Sequence, residues 1–135
     1  MATKIIYWSA SGNTEAMAEA IAEGAGTTAI RVDSATAQDI KDATTLFLGC
    51  SSQGDEELDD TEFLPFLETV SSEFAGKNCV LFGSYDWGQG EWMESWEAQM
   101  QGWGSQLVEK SFIANLYPEA EEMEQLKALG AKYAV

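Results

Sequence analysis

The sequence contains no histidine and only two cysteines, Cys50 and Cys79. Two thiols are too few for a disulfide framework or for the usual zinc and iron–sulfur ligand sets, and a histidine-based catalytic triad is excluded. Each cysteine falls in an apolar stretch, where a free thiol packs as a small hydrophobic side chain. We therefore expect neither a metal site nor a disulfide.

Long apolar runs and basic residues are also scarce. No apolar run approaches the length of about 20 residues that spans a bilayer, and the first residues lack the layout of a signal peptide, so we expect a cytoplasmic protein.

The sequence has seven Lys and Arg and 23 Asp and Glu, which gives a net charge of −16. Such a chain repels nucleic acid and anionic membranes. The charge either attracts partners with basic docking surfaces or serves only solubility.

The 135 residues, 45% of them apolar, suit a single domain over 1–135. Strand-like runs alternate with helical patterns five times, which predicts an α/β fold with a parallel sheet between helix layers. The predicted strands are Lys4–Trp8, Thr28–Val32, Thr45–Cys50, Asn78–Gly83 and Gln106–Ala114. Five helices are predicted. The first begins at Asn13, the second covers Gln38–Asp42, and the third buries Phe63 to Phe74 on one face. The last two cover Glu91–Gly102 and Glu119–Tyr133.

The loop after the first strand, Ser9-Ala10-Ser11-Gly12-Asn13-Thr14, has the composition of a phosphate site. It places hydroxyls, an amide side chain and a glycine at a helix N-terminus, where free N–H groups and the helix dipole favour an anion. No Lys or Arg occurs between Ser9 and Glu23. Neutral donors alone suit a permanently bound monophosphate, although an ordinary strand-to-helix turn with a hydroxyl cap has the same residues.

The loops after the third and fourth strands have the composition of a site for a flat ring. They read Ser51-Ser52-Gln53-Gly54-Asp55-Glu56 and Ser84-Tyr85-Asp86-Trp87-Gly88. Trp87 offers a stacking face, and peptide groups around Gly54 offer hydrogen bonds to a ring edge. Ligands of open α/β sheets bind at the carboxyl ends of the strands, where these loops meet.

The chain resembles the short-chain, clostridial-type flavodoxins along essentially its whole length. The resemblance rests on IIYWSASGNTEAMAEAIAEG (5–24), LGCSSQGDEELDD (48–60) and LFGSYDWGQGEWM (81–93). It implies a flavodoxin-like three-layer sandwich with a five-stranded parallel sheet of order 2-1-3-4-5. It also implies non-covalent FMN, held by the three loops as cofactor-binding segments.

Individual roles follow from the resemblance. The side chains implied to hold the FMN phosphate, together with the loop amides, are those of Ser9, Ser11, Asn13 and Thr14. Ser51, Ser52 and Ser84 would line the ribityl and ring region. Glu56 would accept a hydrogen bond from the flavin N3–H, and the Gly54–Asp55 peptide would turn over on one-electron reduction.

The resemblance places Gln53 against the inner face of the flavin ring and Trp87 against the outer face. Two positions, Gln53 and Asp86, differ from close relatives. Methionine is common at the position of Gln53. Asp86 stands where glycine is common and adds a carboxylate near the ring.

The function that the resemblance implies is a low-potential one-electron carrier that replaces ferredoxin between redox enzymes, and not an enzyme. The implied partners are ferredoxin-linked oxidoreductases with basic docking surfaces, met by a monomer.

Acidic side chains around the flavin loops predict a low reduction potential for the bound flavin. They are Asp55, Glu56, Glu57, Asp59, Asp60, Glu62 and Asp86. One carboxylate at about 10 Å disfavours an added electron by roughly 0.4–1.7 kcal/mol for effective dielectric constants of about 80 to 20. That corresponds to about 20–70 mV for a one-electron couple. We expect the carrier to shuttle between a neutral semiquinone and the hydroquinone.

Other functions fit the sequence less well. A phosphorelay receiver needs acidic residues after the first and third strands, whereas these strands end in Trp8-Ser9 and Cys50-Ser51. A small FMN-dependent reductase of the quinone reductase type needs a second substrate site, for which no spare segment is evident. The flavoprotein that activates ribonucleotide reductase is a further alternative, whose flavin loops match less well. A binding module would keep the fold without a flavin.

Overall fold

A computed structural model describes residues 2–53, 57–86, 88 and 90–134. The strands are β1 (Ala2–Trp8), β2 (Ala29–Arg31), β3 (Ala43–Cys50), β4 (Asn78–Tyr85), β5 (Gln106–Leu107) and β6 (Phe112–Asn115). The helices are α1 (Asn13–Ala25), α2 (Ala37–Asp42), α3 (Phe63–Thr69), α4 (Glu91–Gly102) and α5 (Ala120–Lys132). Short 3₁₀ turns cover Val32–Ser34 and Ser71–Glu73.

The strands form one parallel sheet in the order β2-β1-β3-β4-β5, with β6 also paired to β4. This confirms the predicted fold class and strand order. Each parallel connection crosses through a helix, which places helices on both faces of the sheet. The carboxyl ends of β1, β3 and β4 therefore lie side by side at one edge.

The predicted fifth strand, Gln106–Ala114, is broken into β5 and β6. Leu107 pairs with Cys79 and Phe112 pairs with Phe82, so two extra residues bulge out between the two pairings. The bulge contains Glu109, whose carboxylate accepts hydrogen bonds from Lys132 Nζ at 2.6 Å and Tyr133 Oη at 2.5 Å. The strand is interrupted where a charged side chain leaves the ladder to hold the end of α5.

Two hydrophobic cores lie on opposite faces of the sheet, because successive strand residues point to opposite sides. One core packs Leu46 and Leu48 of β3 against α3 and α4, with Phe63, Trp92 and Trp96 fully buried. The other core packs α1 and α5 against the alternate strand positions, which include Ile5, Phe47 and Val80. Both faces of the parallel sheet are thus covered, as its almost continuous apolar strands require.

Helices α1 and α5 approach closely through two glycines. A Cβ on Gly24 would lie 1.9 Å from the Lys127 carbonyl oxygen, and one on Gly130 would lie 2.0 Å from the Ile21 carbonyl oxygen. Any side chain here would force the helices apart. The pair therefore fixes α1, whose N-terminus faces the candidate site.

Several element boundaries differ from the sequence-based prediction; β1 and β3, for example, begin two residues earlier, at Ala2 and Ala43. Two further differences are at α3 and β4. Helix α3 ends at Thr69, and a 3₁₀ turn carries the chain to Phe74, although the predicted apolar residues Phe63, Leu67 and Phe74 are all buried. Strand β4 continues to Tyr85, so Ser84 and Tyr85 belong to the strand and not to a loop. The extension follows from pairing with β6, which the sequence pattern does not reveal. None of the helices in the described part of the chain is long and apolar enough to cross a membrane.

Candidate functional site

A cavity of about 540 Å³ opens at the carboxyl edge of the sheet. Its volume falls in the roughly 300–1,000 Å³ range of small-molecule and cofactor sites. The residues that line it are Ala10, Ser11, Asn13, Ser51, Ser52, Gln53, Ser84, Tyr85, Asp86 and Leu116. The loops after β1, β3 and β4 thus meet at one cavity, as the topology leads one to expect.

The N-terminus of α1 forms one end of the cavity. Gly12 precedes the helix at φ +93°, a left-handed conformation that suits glycine, and no side chain caps the helix there. Ser9 Oγ instead accepts the Gly12 N–H at 3.1 Å, which closes the turn before the helix. The first-turn N–H groups are left for another acceptor, with Ser11 and Asn13 beside them on the cavity wall.

The one acidic residue in the first turn of α1 is Glu15, and it binds a tyrosine of β1. Tyr7 Oη donates to Glu15 Oε2 at 3.0 Å. Burial, followed by the hydrogen bond and charge of Glu15, raises the pKa of Tyr7 to about 12. Tyr7 therefore stays protonated as a donor to Glu15 at physiological pH.

Three hydroxyl groups join the loops from within the protein. Thr14 Oγ1 lies 2.8 Å from Ser51 Oγ and 2.8 Å from Ser84 Oγ, and it accepts the Ser84 N–H at 3.2 Å. All three residues are buried. A hydroxyl has one donor and two acceptor positions, so these contacts use the full capacity of Thr14. A bond from Thr14 to a ligand would have to replace one of them.

The segment after β3 is held at both of its ends. Ser52 N–H donates to the Ser84 carbonyl at 2.9 Å, which ties this segment to β4. Gln53 and Glu57 exchange two backbone hydrogen bonds, each 2.8 Å long, in an antiparallel bridge. The side chain of Gln53 donates to the Ser52 carbonyl at 2.9 Å. These bonds position Ser52 and Gln53 on the wall of the cavity.

Asp59 anchors the chain between this segment and α3. Its carboxylate accepts the N–H groups of Glu62 and Phe63 at 2.8 and 2.9 Å, and the Thr61 hydroxyl at 2.7 Å. Burial raises the pKa of Asp59, but these hydrogen bonds outweigh burial and lower its pKa overall. Asp59 is 6% exposed, so its charge serves mainly to cap α3.

The remaining acidic residues differ in their surroundings. Glu62 accepts hydrogen bonds from Trp8 Nε1 at 3.2 Å and Arg31 Nη1 at 3.3 Å, so a cation offsets its charge. Glu57, Asp60 and Asp86 are exposed. Among the described residues, these three are the members of the predicted acidic group whose charge is neither used as a helix cap nor paired with Arg31.

The buried Cys50 supports the wall and is not available for chemistry. Burial strongly raises the pKa of its thiol, and its carbonyl accepts the Trp92 indole N–H at 3.3 Å. Within the described ranges, no group of three or more His, Cys, Asp and Glu side chains is arranged to hold a metal ion.

The predicted site residues fall into three groups. Nine line the cavity: Ala10, Ser11, Asn13, Ser51, Ser52, Gln53, Ser84, Tyr85 and Asp86. Ser9, Gly12, Thr14 and Gly88 are described but do not line it. The predictions for Gly54, Asp55, Glu56 and Trp87 lie outside the described residues.

Sequence reasoning missed Leu116, which lines the cavity beside Tyr85. It follows β6, the neighbour of β4, and its backbone N–H donates to the Tyr85 carbonyl at 2.8 Å. The available signal was its place two residues after the fifth predicted strand, at the same edge of the sheet as the other loops.

The residues present fit a ring-bearing monophosphate such as FMN. Uncapped amides with Ser11 and Asn13 supply neutral donors for a phosphate at one end of the cavity. Ser52, Gln53 and Tyr85 supply polar groups and an aromatic side chain along its walls, and Leu116 adds an aliphatic surface. A mixture of apolar surface and a few polar groups is typical of cofactor sites.

Comparisons with known proteins agree with this assignment. The family model described as Flavodoxin matches residues 5–130. Flavodoxin from Clostridium beijerinckii is 41% identical, with 97% of this chain and 98% of that protein covered. Flavodoxin from Megasphaera elsdenii is 35% identical, with 96% and 98% covered. The solution structure of the two-electron reduced Megasphaera elsdenii flavodoxin superposes with a TM-score of 0.85, at 34% identity over 96% of this chain and 98% of that one.

Proposed function

The chain belongs to the flavodoxin family, and from that premise we propose which of its residues hold the cofactor and meet the redox partners. It is an FMN-dependent electron-transfer protein and not an enzyme. The relatives described above are flavodoxins that this chain matches over nearly its whole length, which favours the carrier over the flavin reductase and the ribonucleotide-reductase-activating alternatives. Bound FMN supplies the chemistry, since it takes up and releases electrons one at a time.

The observation that carries the proposed site is that the loops of three neighbouring strands meet at one cavity. At its α1 end, the first-turn amides and the side chains of Ser11 and Asn13 bind the phosphate. Ser9 supports this end indirectly through its bond to Gly12 N–H. Thr14 is also proposed to reach the phosphate, by exchanging one of its bonds to Ser51 or Ser84.

The other walls hold the ribityl chain and the ring. Ser51, Ser52 and Ser84 supply hydroxyls, and Gln53 and Tyr85 supply the adjoining faces. The bridge between Gln53 and Glu57 fixes the start and the end of the intervening segment. The side chains proposed to complete the ring site lie outside the described residues: Glu56 at the flavin N3–H and Trp87 at the outer face.

The exposed carboxylates set a low potential by opposing added negative charge on the cofactor. Asp86 lines the cavity, and Glu57 and Asp60 follow the Gln53 bridge. Glu62 contributes less than the sequence predicts, because Arg31 lies 3.3 Å from its carboxylate. Asp55 and Glu56 remain part of the predicted acidic group.

The same charges favour particular partners. A chain with net charge −16 is attracted to basic surfaces and repelled by nucleic acid and anionic membranes. We propose that this flavodoxin acts as a cytoplasmic monomer that carries electrons between ferredoxin-linked oxidoreductases with basic docking surfaces. Exchange rates with such partners should fall as ionic strength rises.

Paired titrations of the apoprotein with FMN and riboflavin test the phosphate end. Ser11→Ala and Asn13→Ala should each weaken FMN binding by about tenfold, for the loss of one hydrogen bond to a charged group. Riboflavin binding should be unchanged, because riboflavin lacks the phosphate. Ser34→Ala, at an exposed serine of the 3₁₀ turn after β2, is the control. Equal weakening of both ligands would contradict the assignment.

A further inference from the structure

Leu116 occupies a backbone conformation that leucine rarely adopts. Its φ is +61°, and among the described residues it is the one non-glycine with a positive φ. This left-handed conformation brings Cβ close to the carbonyl oxygen and costs free energy for any residue with a side chain. The side chain is also 50% exposed, so burial in the core does not compensate for this cost.

The surrounding structure holds Leu116 in this conformation. Asn115, the last residue of β6, pairs with Tyr85 at the end of β4. The Tyr85 carbonyl accepts both the Leu116 N–H at 2.8 Å and the Asn115 side-chain amide at 3.2 Å. The turn out of β6 is thus fixed to the strand that carries the cavity wall, and Leu116 becomes part of that wall.

Leu116 also differs in chemistry from the rest of the cavity. Of the residues that line it, Leu116 and Ala10 are the aliphatic ones, and Ala10 lies at the phosphate end beside Ser11. The remaining wall is made of hydroxyl, amide, carboxylate and tyrosine side chains. The isoalloxazine ring of FMN is polar at its pyrimidine edge and apolar at its dimethylbenzene edge, and an aliphatic side chain matches the apolar edge.

We propose that Leu116 is a cofactor-contact residue that packs against the dimethylbenzene part of the FMN ring. This inference rests on the proposed FMN site and adds a fourth segment to it, from the end of the fifth strand. Contact with the ring explains why a strained, half-exposed leucine lies at a position where glycine would be free of strain. Contact with the ring also predicts that the leucine contributes to ring binding and not to phosphate binding.

Four proteins test the proposal: wild type, Leu116→Ala, Leu116→Gly and Val108→Ala. Val108 is a matched control, since it is an aliphatic residue of the same broken strand region, 37% exposed, and does not line the cavity. Each apoprotein is titrated with FMN and with riboflavin, followed by quenching of flavin fluorescence. Urea unfolding of the same apoproteins measures the strain.

Both Leu116 variants should bind FMN and riboflavin about tenfold more weakly than wild type, the effect of losing one half-buried leucine contact. Val108→Ala should bind both flavins as wild type does. The folding equilibrium constant of apo Leu116→Gly should exceed that of apo Leu116→Ala by about fivefold, because glycine relieves the left-handed strain.

Unchanged flavin binding by Leu116→Ala, with wild type binding normally, would overturn the contact while leaving the proposed site intact. Equal weakening by Val108→Ala would overturn it too, since the effect would then be general. Weakening of FMN alone would place Leu116 near the phosphate and contradict the ring contact. Unchanged FMN binding by both Ser11→Ala and Asn13→Ala would place the flavin phosphate elsewhere and would overturn the proposed site and this inference together.

Discussion

The hydroxyl oxygen of Thr14 lies 2.8 Å from that of Ser84, a residue 70 positions further along the chain. Ser51 Oγ lies at the same distance from Thr14 Oγ1 on a third segment. The buried hydroxyls thus join the N-terminus of α1 to the ends of β3 and β4, the segments that carry the walls of the cavity. The relative placement of the phosphate and ring regions therefore depends on this network.

Replacing Thr14 with valine should destabilise the apoprotein. Valine has the shape of threonine but leaves the Ser84 N–H and the two serine hydroxyls without their shared partner, at a cost of about 1–3 kcal/mol. Urea unfolding followed by circular dichroism measures the change. Thr14→Ser, which keeps the hydroxyl, should recover most of the loss. A Thr14→Val protein as stable as wild type would show that the network contributes no net stability.

Alanine at Gly83 should be far more harmful than alanine at Gly102. A Cβ on Gly83 would lie 2.2 Å from the Cys50 carbonyl oxygen, within the sheet next to Ser84, which costs about 1–3 kcal/mol or more. A Cβ on Gly102, at the end of α4, meets no atom within 4 Å. Gly102→Ala should therefore be neutral or stabilise by about 0.5–1 kcal/mol. Thermal unfolding of the two variants checks the contrast, and similar melting temperatures would refute it.

The contribution of Asp59 to stability should depend on pH. Because its pKa is lowered in the folded protein, Asp59 stabilises the fold fully above its unfolded pKa of about 3.9. That contribution is lost as the pH falls through the folded pKa. Asp59→Ala should cost about 2 kcal/mol at pH 7, through the unpaired N–H groups of Glu62 and Phe63.

The difference in unfolding free energy between Asp59→Ala and wild type should be constant from about pH 5 to 8 and shrink below about pH 4. Asp60→Ala, at the exposed neighbouring carboxylate, is the control and should show a much smaller difference throughout. A difference for Asp59→Ala that stays unchanged down to pH 3 would mean that the ionised carboxylate is not what caps α3.

Asp86→Asn should raise the more negative of the two one-electron potentials of the bound flavin. Removing one negative charge about 10 Å from the ring corresponds to about 20–70 mV. Spectroelectrochemical titration measures the shift, which should decrease at high salt because Asp86 is exposed. Glu121→Gln, an exposed position on α5, should leave the potential within error of wild type. A lowered or unchanged potential in Asp86→Asn would rule out the proposed role of Asp86.

Much of the architecture could be predicted from local sequence. Runs such as 45–50 and 78–83 are apolar on both faces, which only a doubly covered parallel strand tolerates. Helix α4 begins and ends where its pattern predicts, because Trp92, Trp96 and Met100 recur at a spacing of four and Gly90 precedes the first turn. The chemistry of the loop 9–14 is equally local, since uncapped amides at a helix N-terminus need only a strand, a glycine and a helix in succession.

The tertiary structure decided what depends on partners distant in sequence. The break in the fifth strand arises where Glu109 meets Lys132 and Tyr133 at the end of α5, and the extension of β4 to Tyr85 requires β6 beside it. Whether Thr14 faces a ligand or two serines depends on how α1 is positioned over the sheet. Leu116 lies in the cavity wall next to Tyr85, whose carbonyl accepts the Leu116 N–H across the β4–β6 pairing. Local pattern specifies which face of an element is apolar, whereas these contacts depend on register and packing between elements that no short stretch of sequence encodes.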